Sequence, residues 1–200
     1  MNSLLKDLCL LLCAFLCFAY ADDPASDVKT RDIELQKALN AYKTAQNAES
    51  RKKAISVFDE MFDFQAMGKR ALPSAVWDKA DSKTKDSFVG EFKRMIEYSS
   101  VDRLGSFQAD STTYDPAIVE NTKATVTSNV WHKGKKSIAQ YKLIKTGDQW
   151  KSWDLIIDNV STVRTYKEQF KTLLETKSMT DLIDILKKKA DSYSQTDKHN

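Results

Sequence analysis

The stretch TKATVTSNVWHKGKKSIAQYKLIKTGDQWKSWDLIIDNVSTVRTYKEQF, from Thr122 to Phe170, decides the fold that we expect for this chain of 200 residues. Polar and apolar residues alternate in three short runs, which is typical of strands with one wetted and one buried face. Turn signals separate the runs, one at Gly134, which can adopt a positive φ, and one at Thr146–Asp148. The stretch therefore predicts an antiparallel meander that leads directly into an amphipathic helix capped by Ser161.

The alternation also predicts which side chains of the meander are buried. On the third strand it places Ser152 and Asp154 on the outward face. The opposite face is aromatic and branched aliphatic, so helices or a ligand must cover it. The residues that we expect on this buried face are Ala124, Val126, Ser128, Val130, Ala139, Tyr141, Leu143, Trp153, Leu155 and Ile157.

Helical patterns lie on both sides of the meander, and one more strand is expected around Thr112 and Tyr114. We therefore predict an α+β fold, in which an antiparallel sheet of about four strands is covered on one face by helices. The predicted helices are Ser26 to Asn47, Glu49 to Phe62, Phe64 to Leu72, one from Asp81 or Ser82 to about Gly105, one after Ser161, and one from Ser178 or Thr180.

The first 21 residues have the features of a secretory signal peptide. Leu8 to Phe18 is an unbroken apolar run that is too short to span a bilayer as a helix, and Ala19-Tyr20-Ala21 provides the small residues that a signal peptidase reads. An uncleaved anchor is the alternative. Cys9, Cys13 and Cys17 all lie in this segment, so the expected mature chain has no thiol and no disulfide.

After cleavage near Ala21 we expect a single domain over residues 22–192 and a polar tail over residues 193–200. The net charge of +3 comes from mixed charges along the chain and does not form the basic stripe typical of nucleic-acid binding. A run of cations, Lys187–Lys189, is interpreted as the C-terminal end of the last helix, where it would complement the helix dipole. Contact with an anionic membrane or an acidic partner is the alternative.

Residues with catalytic potential are sparse. His132 is expected in a hairpin turn and His199 in the tail, and the scattered glycines cannot form a loop that cradles phosphate. We therefore expect no enzyme activity, no cofactor and no metal. Asp154 is the strongest exception, because it lies in a strand between apolar neighbours. It could act as an acid or base, as in small cone-shaped isomerase folds, but we favour an outward carboxylate that hydrogen-bonds a neighbouring loop.

Several short motifs follow one another along nearly the whole expected mature chain. They are Phe62-Asp63-Phe64 with Met67, Ala71-Leu72 and Trp77; Phe88 through Phe92; Trp150-Lys151-Ser152-Trp153-Asp154 with Ile157, Val160-Ser161, Tyr166-Lys167 and Gln169-Phe170; and Asp181 to Lys187. In their order and spacing these motifs resemble the MlaC family of periplasmic phospholipid-binding proteins, also called toluene-tolerance auxiliary proteins. Where the family usually has arginine this chain has Lys167, which cannot form a bidentate guanidinium contact.

The resemblance implies a helix-covered sheet that encloses an apolar pocket for acyl chains. It implies a soluble periplasmic carrier that shuttles phospholipids between an outer-membrane lipoprotein complex and an inner-membrane ABC transporter complex with its substrate-binding subunit. Such a carrier maintains the lipid asymmetry of the outer membrane and supports tolerance of organic solvents. The alternatives are a non-catalytic interaction module of the envelope and, less favoured, an isomerase-like enzyme on a cone-shaped fold.

We expect the pocket to be lined from the predicted apolar faces, although a packed core would use the same kinds of residue. Two acyl chains of about sixteen carbons would supply on the order of 20 kcal/mol gross on burial, so affinity does not require head-group contacts. The expected lining residues are Phe62, Phe64, Met67, Leu72, Trp77, Phe88, Phe92, Ile96, Val126, Val130, Tyr141, Leu143, Trp153, Leu155, Ile157 and Phe170.

Overall fold

The computed structural model describes residues 23–105 and 109–194, so the expected signal peptide lies outside the described residues. The helices that precede the sheet are α1 (Pro24–Ala45), α2 (Ala48–Met61), α3 (Phe64–Ala71), α4 (Ser74–Lys79) and α5 (Ser82–Gly105). The strands are β1 (Ser111–Tyr114), β2 (Ile118–Glu120), β3 (Lys123–His132), β4 (Lys135–Thr146), β5 (Gln149–Ile157) and β6 (Val160–Ser161). The helices α6 (Thr162–Leu174) and α7 (Met179–Ser194) follow. The predicted α+β fold is confirmed, with six strands in place of about four.

Short polar side chains begin the helices close to the predicted positions, because each accepts a hydrogen bond from an otherwise unpaired backbone N–H in the first turn. The accepting side chains are Asp23 for Ala25, Asn47 for Ser50, Asp63 for Ala66, Asp81 for Thr84 and Ser161 for Arg164. These local signals explain why the predicted helices match the observed ones within a few residues.

The prediction for the end of the last helix was wrong. Lys187–Lys189 are exposed on α7, but the helix continues to Ser194, so these lysines do not lie in its last turn. The predicted polar tail therefore begins inside the helix, and its residues 195–200 lie outside the described residues. The short elements α4, β2 and β6 were not predicted.

The sheet is antiparallel throughout, with the order β1-β3-β4-β5-β6 and with β2 paired to another part of β3. The predicted alternation holds on β3 and β4, where Val126, Ser128, Tyr141 and Leu143 are all buried. The turn between these strands places Lys133 and Gly134 at φ of 49° and 75°. The meander thus presents its predicted inner face on these two strands.

On β5 the predicted alternation is wrong at several positions. Ser152 and Asp154 are 1% and 4% exposed, although both were assigned to the outward face. Trp153 is only partly buried, and its ring lies under the guanidinium of Arg70 at 4.6 Å. Ile157 is 45% exposed.

A register shift accounts for the burial of Ser152 and the position of Trp153, whereas Asp154 stays opposite Lys142 and is buried where it bonds the start of α6. Leu143 pairs with Ser152 and Lys142 pairs with Asp154, which leaves Trp153 as an extra residue without a partner on β4. Beyond the shift, Leu155 pairs with Tyr141, so this part of β5 returns to the predicted facing. A single inserted residue therefore interrupts the period of two.

The carboxylate of Asp154 joins β5 to the start of α6. It accepts a hydrogen bond from the Ser161 hydroxyl at 2.6 Å and another from the Val163 backbone N–H at 2.9 Å. We predicted an exposed carboxylate bonded to a neighbouring loop, whereas Asp154 is buried and its partners lie in β6 and in the first turn of α6. A buried charge is tolerated here because its oxygens are bonded to donors of the first turn of α6.

The helices pack on one another through aromatic and small residues. Phe88 and Phe92 of α5 contact the ring of Phe170 on α6 edge-on, at centroid distances of 5.7 and 5.5 Å. A Cβ at Gly68 on α3 would lie 3.0 Å from a methyl group of Val89, so the glycine permits the close approach of α3 to α5. Within residues 23–105 and 109–194, no helix is both long and apolar enough to cross a bilayer.

Removing the Asp154 carboxylate tests its role at this junction. We expect Asp154→Ala to lower the free energy of unfolding by about 2–4 kcal/mol, because the Ser161 hydroxyl and the Val163 N–H lose a charged acceptor in a buried site. Urea denaturation followed by circular dichroism measures this change. The control is Asp184→Ala on the exposed surface of α7, for which we expect a change within about 0.5 kcal/mol. Equal stability of the two variants would contradict the assignment.

Candidate binding cavity

A cavity of about 520 Å³ lies between α5, α6 and the C-terminal end of β5. This volume is in the range of protein sites for small organic ligands, about 300–1,000 Å³. Helix α6 also packs against β5 and α3, so the cavity is bounded by both layers of the fold. Its walls and floor come from different elements and have different chemistry.

The α5 wall consists of Ile96, Ser99, Ser100, Arg103 and Leu104. Their spacing of three and four residues places them on one face of the helix. Ile96 is buried, whereas Arg103 is exposed, so this wall runs from the protein interior to solvent.

The α6 wall has the same spacing and a similar mixture of side chains. It consists of Thr162, Thr165, Tyr166 and Gln169. Thr165 and Gln169 are exposed, while Tyr166 is partly buried and its ring contacts Phe92 edge-on at 5.1 Å. The aromatic contact holds α5 and α6 together on one side, and the short serine and threonine side chains leave the facing surfaces apart on the other.

The floor of the cavity is apolar. Phe58 and Phe62 reach it from the end of α2, Met67 from α3, and Leu155 from β5. The rim includes Ile157 and Val160, which are 45% and 61% exposed. Large apolar side chains so exposed beside an open cavity are typical of a ligand-binding surface.

The structure divides the predicted lining residues into three groups. Those at the cavity are Phe62, Met67, Ile96, Leu155 and Ile157. Those packed in the buried core are Phe64, Leu72, Phe88, Phe92, Val126, Tyr141, Leu143 and Phe170. Those that are partly buried elsewhere are Trp77, Val130 and Trp153.

Sequence reasoning missed all of the polar residues that line the cavity. It selected large apolar side chains, and the two facing helix surfaces carry serine, threonine, glutamine and arginine. The i, i+3, i+4, i+7 spacing of these residues was visible in the sequence, but on its own it describes an ordinary solvated helix face. The missed lining residues are Phe58, Ser99, Ser100, Arg103, Leu104, Val160, Thr162, Thr165, Tyr166 and Gln169.

A second, smaller depression of about 310 Å³ has polar and charged walls. It is lined by Asp27, Thr30, Arg31, Glu34, Glu60 and Gln149. The Arg31 guanidinium donates a hydrogen bond to the Glu60 carbonyl oxygen across it, at 2.7 Å. Its lining does not suit an apolar ligand.

A partly buried carboxylate on α1, Asp32, joins this helix to the sheet. Asp32 accepts hydrogen bonds from the hydroxyl groups of Tyr114 on β1 and Tyr141 on β4, each at 2.9 Å. Burial raises the pKa of Asp32 to about 6, although the two tyrosine hydrogen bonds oppose the shift. Asp32 does not line the cavity described above, and its hydrogen bonds join α1 to β1 and β4.

The described lining of the cavity contains no carboxylate, and both oxygens of Asp154 are bonded within the β5–α6 junction. The described residues also contain no group of three or more histidine, cysteine, aspartate or glutamate side chains that could hold a metal ion. The isomerase-like interpretation depended on Asp154, which does not line the cavity.

The chain is an α+β protein whose helix-covered antiparallel sheet borders an open cavity with an apolar floor. The family model described as MlaC protein matches residues 29–188, and this chain belongs to that family. The family that the sequence motifs resembled is therefore confirmed. A comparison with curated protein sequences found no match.

A solved structure has a similar fold. It is described as a phospholipid-binding protein from Ralstonia solanacearum in complex with a phospholipid. The TM-score is 0.75 with 18% sequence identity, and the match covers 86% of this chain and 99% of that one. At this identity the likeness concerns the fold.

The raised pKa of Asp32 predicts a specific pH dependence of stability. The pKa of Asp32 is about 6 in the folded state, against an ordinary value of 3.8. Below pH 6 the Asp32 carboxylate of the folded state therefore binds a proton that the unfolded state binds only near pH 4. We expect wild type to gain on the order of 2 kcal/mol of unfolding free energy, relative to Asp32→Asn, as pH falls from 7 to 4. Urea denaturation across this range measures the difference, with Asp184→Asn as the exposed control. Parallel stability curves for wild type and Asp32→Asn would contradict the burial of this charge.

Proposed function

We propose that this protein is a periplasmic carrier of phospholipids that encloses the acyl chains in the cavity between α5, α6 and β5. The observation that carries the proposal is the open cavity of about 520 Å³ with an apolar floor, in a chain of the MlaC family. The phospholipid bound to the similar protein from Ralstonia solanacearum supports the same class of ligand.

Hydrophobic burial would supply the affinity. Each methylene that moves from water into an apolar site contributes about 0.8 kcal/mol. Phe58, Phe62, Met67 and Leu155 supply the apolar surface at depth, and the hydroxyl-rich walls face the lipid near the mouth. The polar head group would therefore remain close to solvent while the tails are covered.

We further propose that the chain is exported to the periplasm and receives or delivers lipid at two membrane complexes. These are an outer-membrane lipoprotein complex and an inner-membrane ABC transporter complex with its substrate-binding subunit. The apolar segment before Ala21 supports export, and membership of the MlaC family supports lipid transport. Release requires a partner that stabilises an opened cavity or that offers the tails another apolar site.

The cavity also supports the carrier over the two other interpretations. A protein that only joins envelope complexes requires no space of this size between its helices. The isomerase-like alternative assigned the base to Asp154, and Asp154 does not line the cavity.

The direct test is the lipid content of the purified protein. We expect the mature chain, purified from the periplasm of a bacterial host and extracted with organic solvent, to release glycerophospholipid at about one molecule per protein, as measured by mass spectrometry. A lipid-free protein that also fails to take up phospholipid from vesicles would contradict the proposal.

Adjacent residues on β5 offer a matched pair of variants. Leu155 lines the cavity, whereas the next residue, Ile156, is also partly buried but is not part of the described lining. We expect Leu155→Asp to reduce phospholipid retention at least tenfold, because burying acyl chains against a charged carboxylate in the apolar floor is unfavourable. Ile156→Asp should retain lipid. Thermal denaturation shows whether both variants are folded, and equal retention by the folded pair would count against this cavity as the site.

A further inference from the structure

The polar groups of the cavity are concentrated on its helical walls. Ser99, Ser100 and Arg103 lie on α5, and Thr165 and Gln169 lie on α6, above a floor of phenylalanine, methionine and leucine. A lipid whose tails occupy the floor would place its polar linkage and head group between these walls. The hydrogen bonds already present on the walls determine what kind of group they can bind.

Several of the wall hydroxyls have already donated their proton. Thr162 donates to the Leu155 carbonyl oxygen at 2.8 Å, Thr165 to that of Ser161 at 2.8 Å, and Ser99 to that of Ile96 at 3.2 Å. A hydroxyl has one proton, so these three groups present only lone pairs to the cavity. Oxygen lone pairs do not stabilise an anion.

The N-terminus of α6 is also engaged. Helix N-termini bind anions through unpaired N–H groups, but here the Val163 N–H donates to Asp154 and the Arg164 N–H donates to Ser161. The buried carboxylate of Asp154 already occupies the position that an anionic ligand would take. The attraction for an anion must therefore come from a side chain of the walls.

Arg103 supplies that attraction. Among the described residues that line the cavity it is the one charged side chain, and it is exposed near the mouth. Its charge acts on the opposite wall, since burial raises the pKa of Tyr166 and the positive charge of Arg103 opposes that shift. A guanidinium matches the geometry of phosphate oxygens and can donate two parallel hydrogen bonds.

We propose that Arg103 binds the phosphate group of the carried lipid at the mouth of the cavity, an inference that rests on the proposed function. All phospholipids have this group, whatever the remainder of the head. The site therefore separates phosphate-bearing lipids from neutral diacyl lipids and tolerates variation beyond the phosphate. Arg103 is in this sense the specificity-determining residue, while the floor determines affinity for the tails.

The test compares lipids that differ only in the phosphate-bearing part. Delipidated mature protein is incubated with vesicles containing dioleoylphosphatidylglycerol, dioleoylphosphatidylcholine or dioleoylglycerol, and bound lipid is measured by mass spectrometry. The variants are Arg103→Gln and Arg103→Lys. The matched control is Arg164→Gln, because Arg164 is exposed on α6 and donates to the Asn159 carbonyl oxygen outside the cavity.

We expect Arg103→Gln to lower retention of both phospholipids about tenfold and to leave retention of dioleoylglycerol unchanged, since a hydrogen-bonded ion pair with phosphate is lost. Arg103→Lys should give an intermediate loss, because lysine keeps the charge without the bidentate geometry. Arg164→Gln should behave as wild type with all three lipids.

Three results would overturn the assignment of Arg103. Equal loss of all three lipids in Arg103→Gln would indicate a structural role, and no loss of any lipid would indicate no role. Inorganic phosphate that binds the delipidated protein in an Arg103-dependent manner, while lipid retention is unaffected, would identify a free anion as the ligand. Wild-type protein that retains none of the three lipids would instead contradict the proposed function itself.

Discussion

The placement of α6 against the sheet depends on one buried carboxylate. Asp154 on β5 accepts hydrogen bonds from the Ser161 hydroxyl and the Val163 N–H, so the helix begins at a fixed point beside the strand. From there the chain carries Tyr166 and Phe170 to the rings of Phe92 and Phe88 on α5. The polar junction and the aromatic contact together determine how the two helices face each other.

The cavity is the space that the polar junction and the aromatic contact leave unfilled. Between the junction and the aromatic cluster, α5 and α6 present short hydroxyl side chains, including Ser99, Ser100 and Thr165, which cannot close the gap. The apolar floor beneath them contains Phe58 and Met67. A space with an apolar floor and polar upper walls fits an amphiphile, with its tails below and its head near solvent.

Much of this fold was predictable from local signals. The alternation on β3 and β4, the turn at Gly134 and the caps at Asp81 and Ser161 all act over a few residues, and each matches the structure. These signals depend on backbone hydrogen bonds and on the alternation of polar and apolar side chains. Both are determined by residues that are close together in the sequence.

Which side chains of β5 are buried could not be predicted in the same way. The extra residue Trp153 is defined by the pairing of β5 with β4, and nothing in the alternation of β5 itself reveals the shift. The burial of Asp154 depends likewise on where α6 begins in space. Of the large apolar residues that we selected for the pocket, Phe88 and Phe92 pack in the core, while Ser100 and Arg103, which we did not select, line the cavity.

The central claim is that acyl chains occupy the space between α5, α6 and β5. The most direct measurement uses a phospholipid with a photoactivatable group near the end of one acyl chain, followed by mapping of the labelled peptides by tandem mass spectrometry. We expect labels on the floor residues Phe58, Met67 and Leu155, and on Ile96 at the buried end of the α5 wall. Labels confined to the outward face of the sheet, at residues such as Thr127 and Gln140, would contradict it.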